Sequence, residues 1–482
     1  MASNTKMAPS RRVVIRKSEA VTQKSEAVTQ KSEVGQGFSP ASVARLKACA
    51  TNQMIQVPSR SELNAWILAV AAMTALYAFS VFAAGADLFG VDIARSFGWW
   101  SFAVSAAVLV TVLGLVAIFN PRWPIDHQAT ALVAAALSWP VFWVLRTNWL
   151  NADGNMLTPK LEADVPRVGA HLTHDELLEL FFHSRLWYYT HQWWGWSVVH
   201  AYQVASCTAG AVFIYVLIRL ARRVAPPAPW LFVAGVLAGG YMQLFFGDVE
   251  NYTITAAIVA FYVLAACRFL EGEVALWVPA TALAIAAGFH LEAAWLWPSA
   301  LYLAFISHRR RGDRSEAIAA AGAACTILAA AFLYFQFHGL PLMRFFSSHA
   351  GHALRMNGVF AIGMPLRYYL DQLDLFLLLS PAVLMAIPLS IWRRYGRDEI
   401  TVFLGVSAAS MLLLQVIWRS QIGVLDDWNL YSLGGLLTSL FLWRAIAGAV
   451  RTRGFQLTAA ACAAVAWLHS YSWIVMNHLH GR

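Results

Sequence analysis

Residues 196–219 read WSVVHAYQVASCTAGAVFIYVLIR, and LARR follows at 220–223. The run carries no acid, and its one ionised side chain, Arg219, stands at its very end. At ~1.5 Å per residue such a helix is long enough to cross the ~30 Å of bilayer hydrocarbon. The segment therefore places the chain in a membrane.

The remainder of the sequence agrees with this reading. It is 59% hydrophobic and only 13% charged, with mean hydropathy +0.55, whereas a soluble domain carries about 25% charged residues. Comparable apolar runs lie at 64–84, 99–119, 129–147, 230–246, 253–270, 274–289, 291–307, 316–336, 372–392, 400–418, 431–447 and 456–476. The expected fold is an all-α integral membrane protein of about thirteen transmembrane helices. Its polytopic domain covers 61–482 and follows a polar tail over 1–60.

Lys and Arg near span ends are retained on the cytoplasmic side, which orients the whole series. Ten of the 35 basic residues fall in 1–63, so the N terminus is expected to be cytoplasmic. Walking along the chain, Arg219, Arg222, Arg223, Arg268, Arg309–Arg311, Arg314, Arg393, Arg394, Arg397, Arg444, Arg451 and Arg453 all fall in alternate, inner loops. The C terminus then lies outside. Because the basic residues are spread over many loops, the formal charge of +9 reports topology and contact with membrane lipid, and nucleic acid is not an expected partner. Five cysteines, none in an expected outer loop, give no disulfide framework and no metal-binding pair spacing. The tail repeats KSEAVTQ at 17–23 and 24–30; two repeats with only Ala and Val for a seam suit a disordered segment better than a coiled coil.

Two outer segments, 148–195 and 337–371, exceed ordinary connections and are rich in aromatics, His and Arg, so both are expected to be ordered. In the first, Thr173–Glu176 has capping-box spacing, predicting a helix start at Thr173. Asp175, Glu176 and Glu179 then read as charges at the end of that helix. Its continuation, LLELFFHSRLWYYTHQWWGW, suits the half-wet headgroup zone.

Four outer sites could carry chemistry. Asp153, in Asn151–Asn155, is either a turn former or a general base held against an apolar wall. Asp248 and Glu250, followed by Asn251 and Tyr252, occupy a very short hairpin. On extended backbone the two carboxylates would lie on one side and could share a divalent cation such as Mg or Mn or hold polar substrate groups; as a solvated turn they would cap the next helix. His290 and Glu292, in GFHLE at 288–292, lack the i, i+4 spacing of a helical metal pair, and a structural histidine is the plainer reading. Asp426 and Asp427 precede a span, and Arg419 shares their loop and could bind a phosphate. Arg344, His349, His352 and Arg355 recur at helical spacing and could form a cationic face for phosphate oxygens, or snorkel toward anionic lipid.

The succession LNADGNML, LWYYTHQWWGW, FFGDVENYTI, GFHLEAAWLWPS and DDWNLYS, covering roughly 130–435, resembles bacterial polytopic proteins of the GT-C glycosyltransferase superfamily. That resemblance implies a GT-C-like architecture in the bacterial cytoplasmic (inner) membrane and an inverting transferase acting at the outer face. It would move a sugar from a polyprenyl-phosphate donor to the hydroxyl of a glycan, lipid or protein acceptor. Asp153 would be the base, with Asp248, Glu250, Asn251, Tyr252, His290, Glu292, Arg344, His349, Arg419 and Asp427 binding substrate. The sequence departs from the general pattern in placing its key aspartate after the third span, where the first is usual. The rival readings are a transporter or flippase of lipid-linked sugars, and a non-catalytic scaffold. Coupled transporters place ionisable groups in mid-bilayer, and the span interiors here are nearly free of them.

Overall fold

The structure is a computed structural model that describes residues 64, 67–68, 71–72, 75, 107, 128–150, 152–163, 176–312, 314–337, 360–361, 363–386, 398–420, 423–424, 426–449 and 453–479. The tail, both of its repeats and most of the expected spans 64–84 and 99–119 lie outside these. The described residues are helical, with no strand beyond a single bridge between Phe360 and Trp418.

The helices, in chain order, are α1 (Gln128–Val144), α2 (Ala152–Ala163), α3 (Leu177–Trp194), α4 (Val198–Val224), α5 (Pro229–Val236), α6 (Thr253–Leu270), α7 (Trp277–Phe289), α8 (Trp297–Arg311), α9 (Ser315–Phe337), α10 (Leu366–Leu379), α11 (Glu399–Ile417), α12 (Ser432–Ala449) and α13 (Arg453–Leu479). Short 3-10 turns at Gly240–Phe245, Leu291–Leu296, Pro381–Ala386 and Trp428–Tyr431 separate several of them. Six of the described helical segments are long and apolar enough to cross a membrane: α4, α6, α9, α11, Trp428–Gly448 and most of α13. That is fewer than the thirteen spans expected; α1 and α7 are apolar but shorter.

Three expected spans are interrupted, each for a visible reason. The run 230–246 breaks at Gly239–Gly240, where backbone passes so close to backbone that a Cβ on Gly240 would sit 2.7 Å from the Leu378 carbonyl. The run 291–307 opens with His290 in extended conformation, a 3-10 turn, and only then α8, with Pro298 in its first turn. The run 372–392 starts earlier, at Leu366, and stops at Ser380–Pro381, since proline cannot donate to the preceding turn. Apolarity marks where a chain can be buried, and these breaks depend on what it meets there.

At the centre, α4 packs on α1, α3, α5 and α6, while α12 packs on α5 and α11. Small residues permit the close approaches. Gly210 of α4 lies under Phe142 and Phe245, and Gly235 of α5 lies flat against the buried Trp443 indole of α12. A positive-φ glycine, Gly195, ends α3, and the Ser197 hydroxyl then accepts from the His200 amide to start α4. That corner fixes α3 across the end of α4.

The helix ends gather at two poles. At one, Arg223 pairs with Glu271 and, through both guanidinium nitrogens, with Glu273 at 2.7 and 2.8 Å. There too Arg310 meets Glu399 and the Leu270 carbonyl, and Arg444 bonds Thr401, Asp398 and the Val224 carbonyl. At the other pole the Phe246 carbonyl accepts from the Thr147 amide, the Asn477 carbonyl accepts from the Asn148 amide, and Gly154 packs on Val249.

Candidate functional site

The second pole collects acidic and histidine side chains from four separate connections. The hairpin between the 3-10 turn Gly240–Phe245 and α6 turns at Gly247, whose φ is 70°. A side chain there would be strained and would press a Cβ to 2.6 Å from Arg146. The hairpin is not the solvated turn of the plainer reading: Asp248, Glu250 and Asn251 are all buried, Glu250 completely. Burial pushes the Asp248 carboxyl up to about 8, against the opposing pull of a hydrogen bond from the Val249 backbone.

Asn251 links the hairpin to its neighbours. Its Oδ1 accepts from the Tyr202 hydroxyl of α4 at 3.2 Å, and its Nδ2 donates to Glu176 Oε2 at 2.8 Å. Glu176 Oε1 stands 3.6 Å from His290 Nε2. Because His290 Nδ1 accepts from the Glu292 amide at 3.2 Å, the neutral ring carries its proton on Nε2, pointing at Glu176. His290 thus serves the structural role of capping its turn while aiming a donor into the cluster. The Tyr252 ring tilts against His290 with centroids 4.3 Å apart. Burial, and then the charges of Asp427, Glu176, Glu292 and Glu250, push the Tyr252 phenol well above its usual value, which shows how closely the acids surround it. Glu292, between α7 and α8, is likewise pushed up, by burial first and Asp427 second.

The sequence-predicted residues divide accordingly. Glu250, His290, Glu292 and Asp427 come together around Tyr252, and Asp248 and Asn251 are buried in the same hairpin. Asp153 lies in the first turn of α2, not in a free turn, and the next residue, Gly154, would place a Cβ 2.9 Å from the Val249 carbonyl. The backbone of Asp153 therefore adjoins the hairpin. Arg419 is half-buried in the stretch that follows α11, beside Ser420, whose amide donates to the Tyr368 hydroxyl. Arg344, His349, His352 and Arg355 lie outside the described residues.

Sequence reasoning missed a second buried group. The helix predicted to start at Thr173 begins at Leu177, with Glu176 at its N-cap and Thr173 outside the described residues. Glu179 does stand in the first turn of α3, as expected of a helix-end charge, but it is 0% exposed and faces the protein. His183, one turn on, is equally buried and lies parallel to the Tyr202 ring, centroids 3.7 Å apart and planes 2° apart. Its Nδ1 donates to the Glu179 carbonyl at 3.1 Å and is 3.5 Å from the Glu179 carboxylate. Burial drives His183 down to about 3, so its ring is neutral near pH 7, and burial first and Glu176 second push the Glu179 carboxyl well above its usual value. The i, i+4 spacing of Glu179 and His183 was the available signal. Arg146 was also passed over. Its guanidinium lies over Trp143, 4.3 Å from the ring centroid, and its backbone abuts Gly247.

Several buried polar atoms of this pole have no hydrogen-bond partner among the described residues: Asp248 Oδ2, both Glu179 and both Glu292 carboxylate oxygens, His290 Nε2, His183 Nε2 and Asn429 Nδ2. Native interiors satisfy nearly all such atoms, so a concentration of exceptions points to a polar ligand or water. Among the described residues no three His, Cys, Asp or Glu side chains converge as metal ligands, so the divalent cation expected between Asp248 and Glu250 finds no third protein ligand of those types there. No family model matches the chain, and no curated protein and no solved structure is similar to it.

Proposed function

We propose that the acidic pole is the active site of a GT-C-like membrane glycosyltransferase, which moves a sugar from a polyprenyl-phosphate donor to an acceptor hydroxyl at the outer face of a bacterial cytoplasmic membrane. The observation that carries this reading is the set of buried polar atoms left without partners among the described residues of this pole. A sugar offers hydroxyl donors and acceptors that such a set would satisfy.

In the proposed reaction the acceptor oxygen attacks the anomeric carbon, its proton passes to the Asp153 carboxylate, and the bond from that carbon to the lipid phosphate oxygen breaks. Arg419, Arg344 and His349 are assigned to the departing phosphate, and Asp427 and Glu250 to sugar hydroxyls. The elevated Asp248 suits a different role. A carboxyl that keeps its proton near pH 7 donates a hydrogen bond instead of accepting a proton. The helices long enough to span a membrane, and the arginines gathered at the opposite pole, support an orientation with the acidic pole outside.

The test is transfer from radiolabelled polyprenyl-phosphate sugars in membranes expressing wild type, Asp153→Asn and Glu250→Gln at matched levels. Label reaching an acceptor with wild type only, and lost in either variant, supports the assignment. Equal labelling in all three removes both acids from catalysis. Labelling in none, with lipid-linked sugar crossing the membrane in a wild-type-dependent manner, would replace the transferase with a flippase.

A further inference from the structure

We infer that the basic pole holds a second, independent site, a pocket for the phosphate of an anionic phospholipid. The end of α4 and the connection between α6 and α7 enclose a cavity of about 470 Å³, within the range of small-ligand pockets. Arg219, Arg222 and Arg223 line it, together with Glu271 and Glu273, and Ile218 gives it an apolar wall.

The spacing of the arginines is what makes a site of them. Positions 219, 222 and 223 are separated by three and four residues, so their side chains leave one face of α4 together. Arginines in the last turn of a helix are ordinary partners of its dipole, but that alone requires no cavity. Nor are all three equivalent. Arg223 is held by Glu273 through two bonds and by Glu271, and Arg268 Nε donates to Glu273 at 3.1 Å. Both carboxylates lining the pocket are therefore engaged by cations on their own side. Arg219 forms no hydrogen bond or ion pair among the described residues, and its planar fork matches two phosphate oxygens.

Location selects the source of the phosphate. α4 is the longest of the described spanning segments, and its arginines follow directly on its apolar run. They stand where that run would leave the hydrocarbon, at the depth of lipid headgroups, and Ile218 on the pocket wall is positioned for the glycerol and upper acyl carbons. A soluble phosphate would meet the same guanidinium groups but would gain nothing from that wall.

The experiment uses the full chain purified in neutral detergent and reads its thermal unfolding against added phosphatidylglycerol, phosphatidylcholine or inorganic phosphate. Wild type should be stabilised by phosphatidylglycerol and not by phosphatidylcholine. The double variant Arg219→Gln/Arg222→Gln should lose roughly tenfold or more in apparent affinity, the ratio for one hydrogen bond to a charged group. Arg309→Gln/Arg314→Gln, at the same pole but away from the cavity, should respond as wild type does, which separates a site from diffuse attraction. Unchanged unfolding of the double variant in phosphatidylcholine establishes that it folds. Equal stabilisation by inorganic phosphate alone would keep the phosphate site and make its ligand soluble. The inference is overturned if phosphatidylglycerol stabilises both double variants equally, or if neither it nor phosphate stabilises wild type.

Discussion

Replacing Asp248 by Asn should change how the stability of this protein depends on pH, in a direction fixed by the burial of the hairpin. The Asp248 carboxyl titrates near 3.8 when the chain is unfolded and near about 8 when folded. Between those values the folded protein keeps a proton that the unfolded chain has released, so stability falls as pH rises through the window and levels off above it. The contribution is fully present below about pH 4 and lost above about pH 8. Asn cannot ionise, keeps an oxygen to accept from the Val249 backbone, and mimics the protonated acid in shape. The interval from 3.8 to about 8 corresponds to at most roughly 6 kcal/mol, since each tenfold step in acidity is about 1.4 kcal/mol. At about 2–4 °C per kcal/mol for a large domain, the difference amounts to several degrees or more.

The assay is thermal unfolding in detergent, followed by helical circular dichroism from pH 5 to pH 9, for wild type, Asp248→Asn and the exposed control Glu162→Gln. Wild type and Asp248→Asn should differ least at pH 5 and separate progressively, the variant being the more stable at pH 9. Glu179 and Glu292 also titrate upward in the folded protein, so both curves decline; the difference between them isolates Asp248. Parallel curves across the whole range would refute the reasoning, since the hairpin would then be open to water. An advantage of wild type that grows with pH would mean that a cation pairs with the ionised carboxylate.

Two further substitutions probe the framework. Gly235→Ala should lower stability by about 1–3 kcal/mol in the same unfolding assay, because its new Cβ overlaps the buried Trp443 indole, whereas Gly322→Ala, with open space around it, should be silent or slightly stabilising. His183→Phe preserves the stack on Tyr202, removes the partnerless Nε2 and gives up the Nδ1 bond to the Glu179 carbonyl, so it should unfold within a few degrees of wild type; His183→Ala should cost about 3 kcal/mol through the cavity it leaves.

The part of the structure legible in the sequence is the part governed by local composition. The uninterrupted apolar runs became α6 and α11 almost to the residue, with Asp398 capping α11, while α4 starts after Ser197 and continues five residues beyond Arg219 through Arg222 and Arg223. The alternation of basic loops also indicated that Asp248, Glu250, His290, Glu292 and Asp427 would share one end of the bundle, and they do. Two things were illegible. The break at Gly239–Gly240 comes from one backbone approaching another across more than a hundred residues of sequence, at Leu378 and Leu379. The burial of Glu179 and His183 depends on the ring of Tyr202, which belongs to a different helix. Glu179 near a helix start reads as solvated unless that partner is known.

The contrast between the poles separates architecture from function. At the basic pole Glu273, Glu271, Asp398 and Glu399 each meet an arginine within bonding distance, and Arg310 and Arg444 also bind carbonyls at helix ends that would otherwise be orphaned. Such an arrangement ties spans together and leaves its carboxylates nothing further to do. At the acidic pole Glu179 and Glu292 carry no arginine or lysine partner among the described residues, and Asp248 keeps an oxygen without a hydrogen bond. A carboxyl buried in that state disfavours folding unless it holds its proton or receives a ligand. Apolar residues of similar size would remove that cost, so acids in this state at one end of the bundle are the reason to look for substrate there and for lipid at the other end.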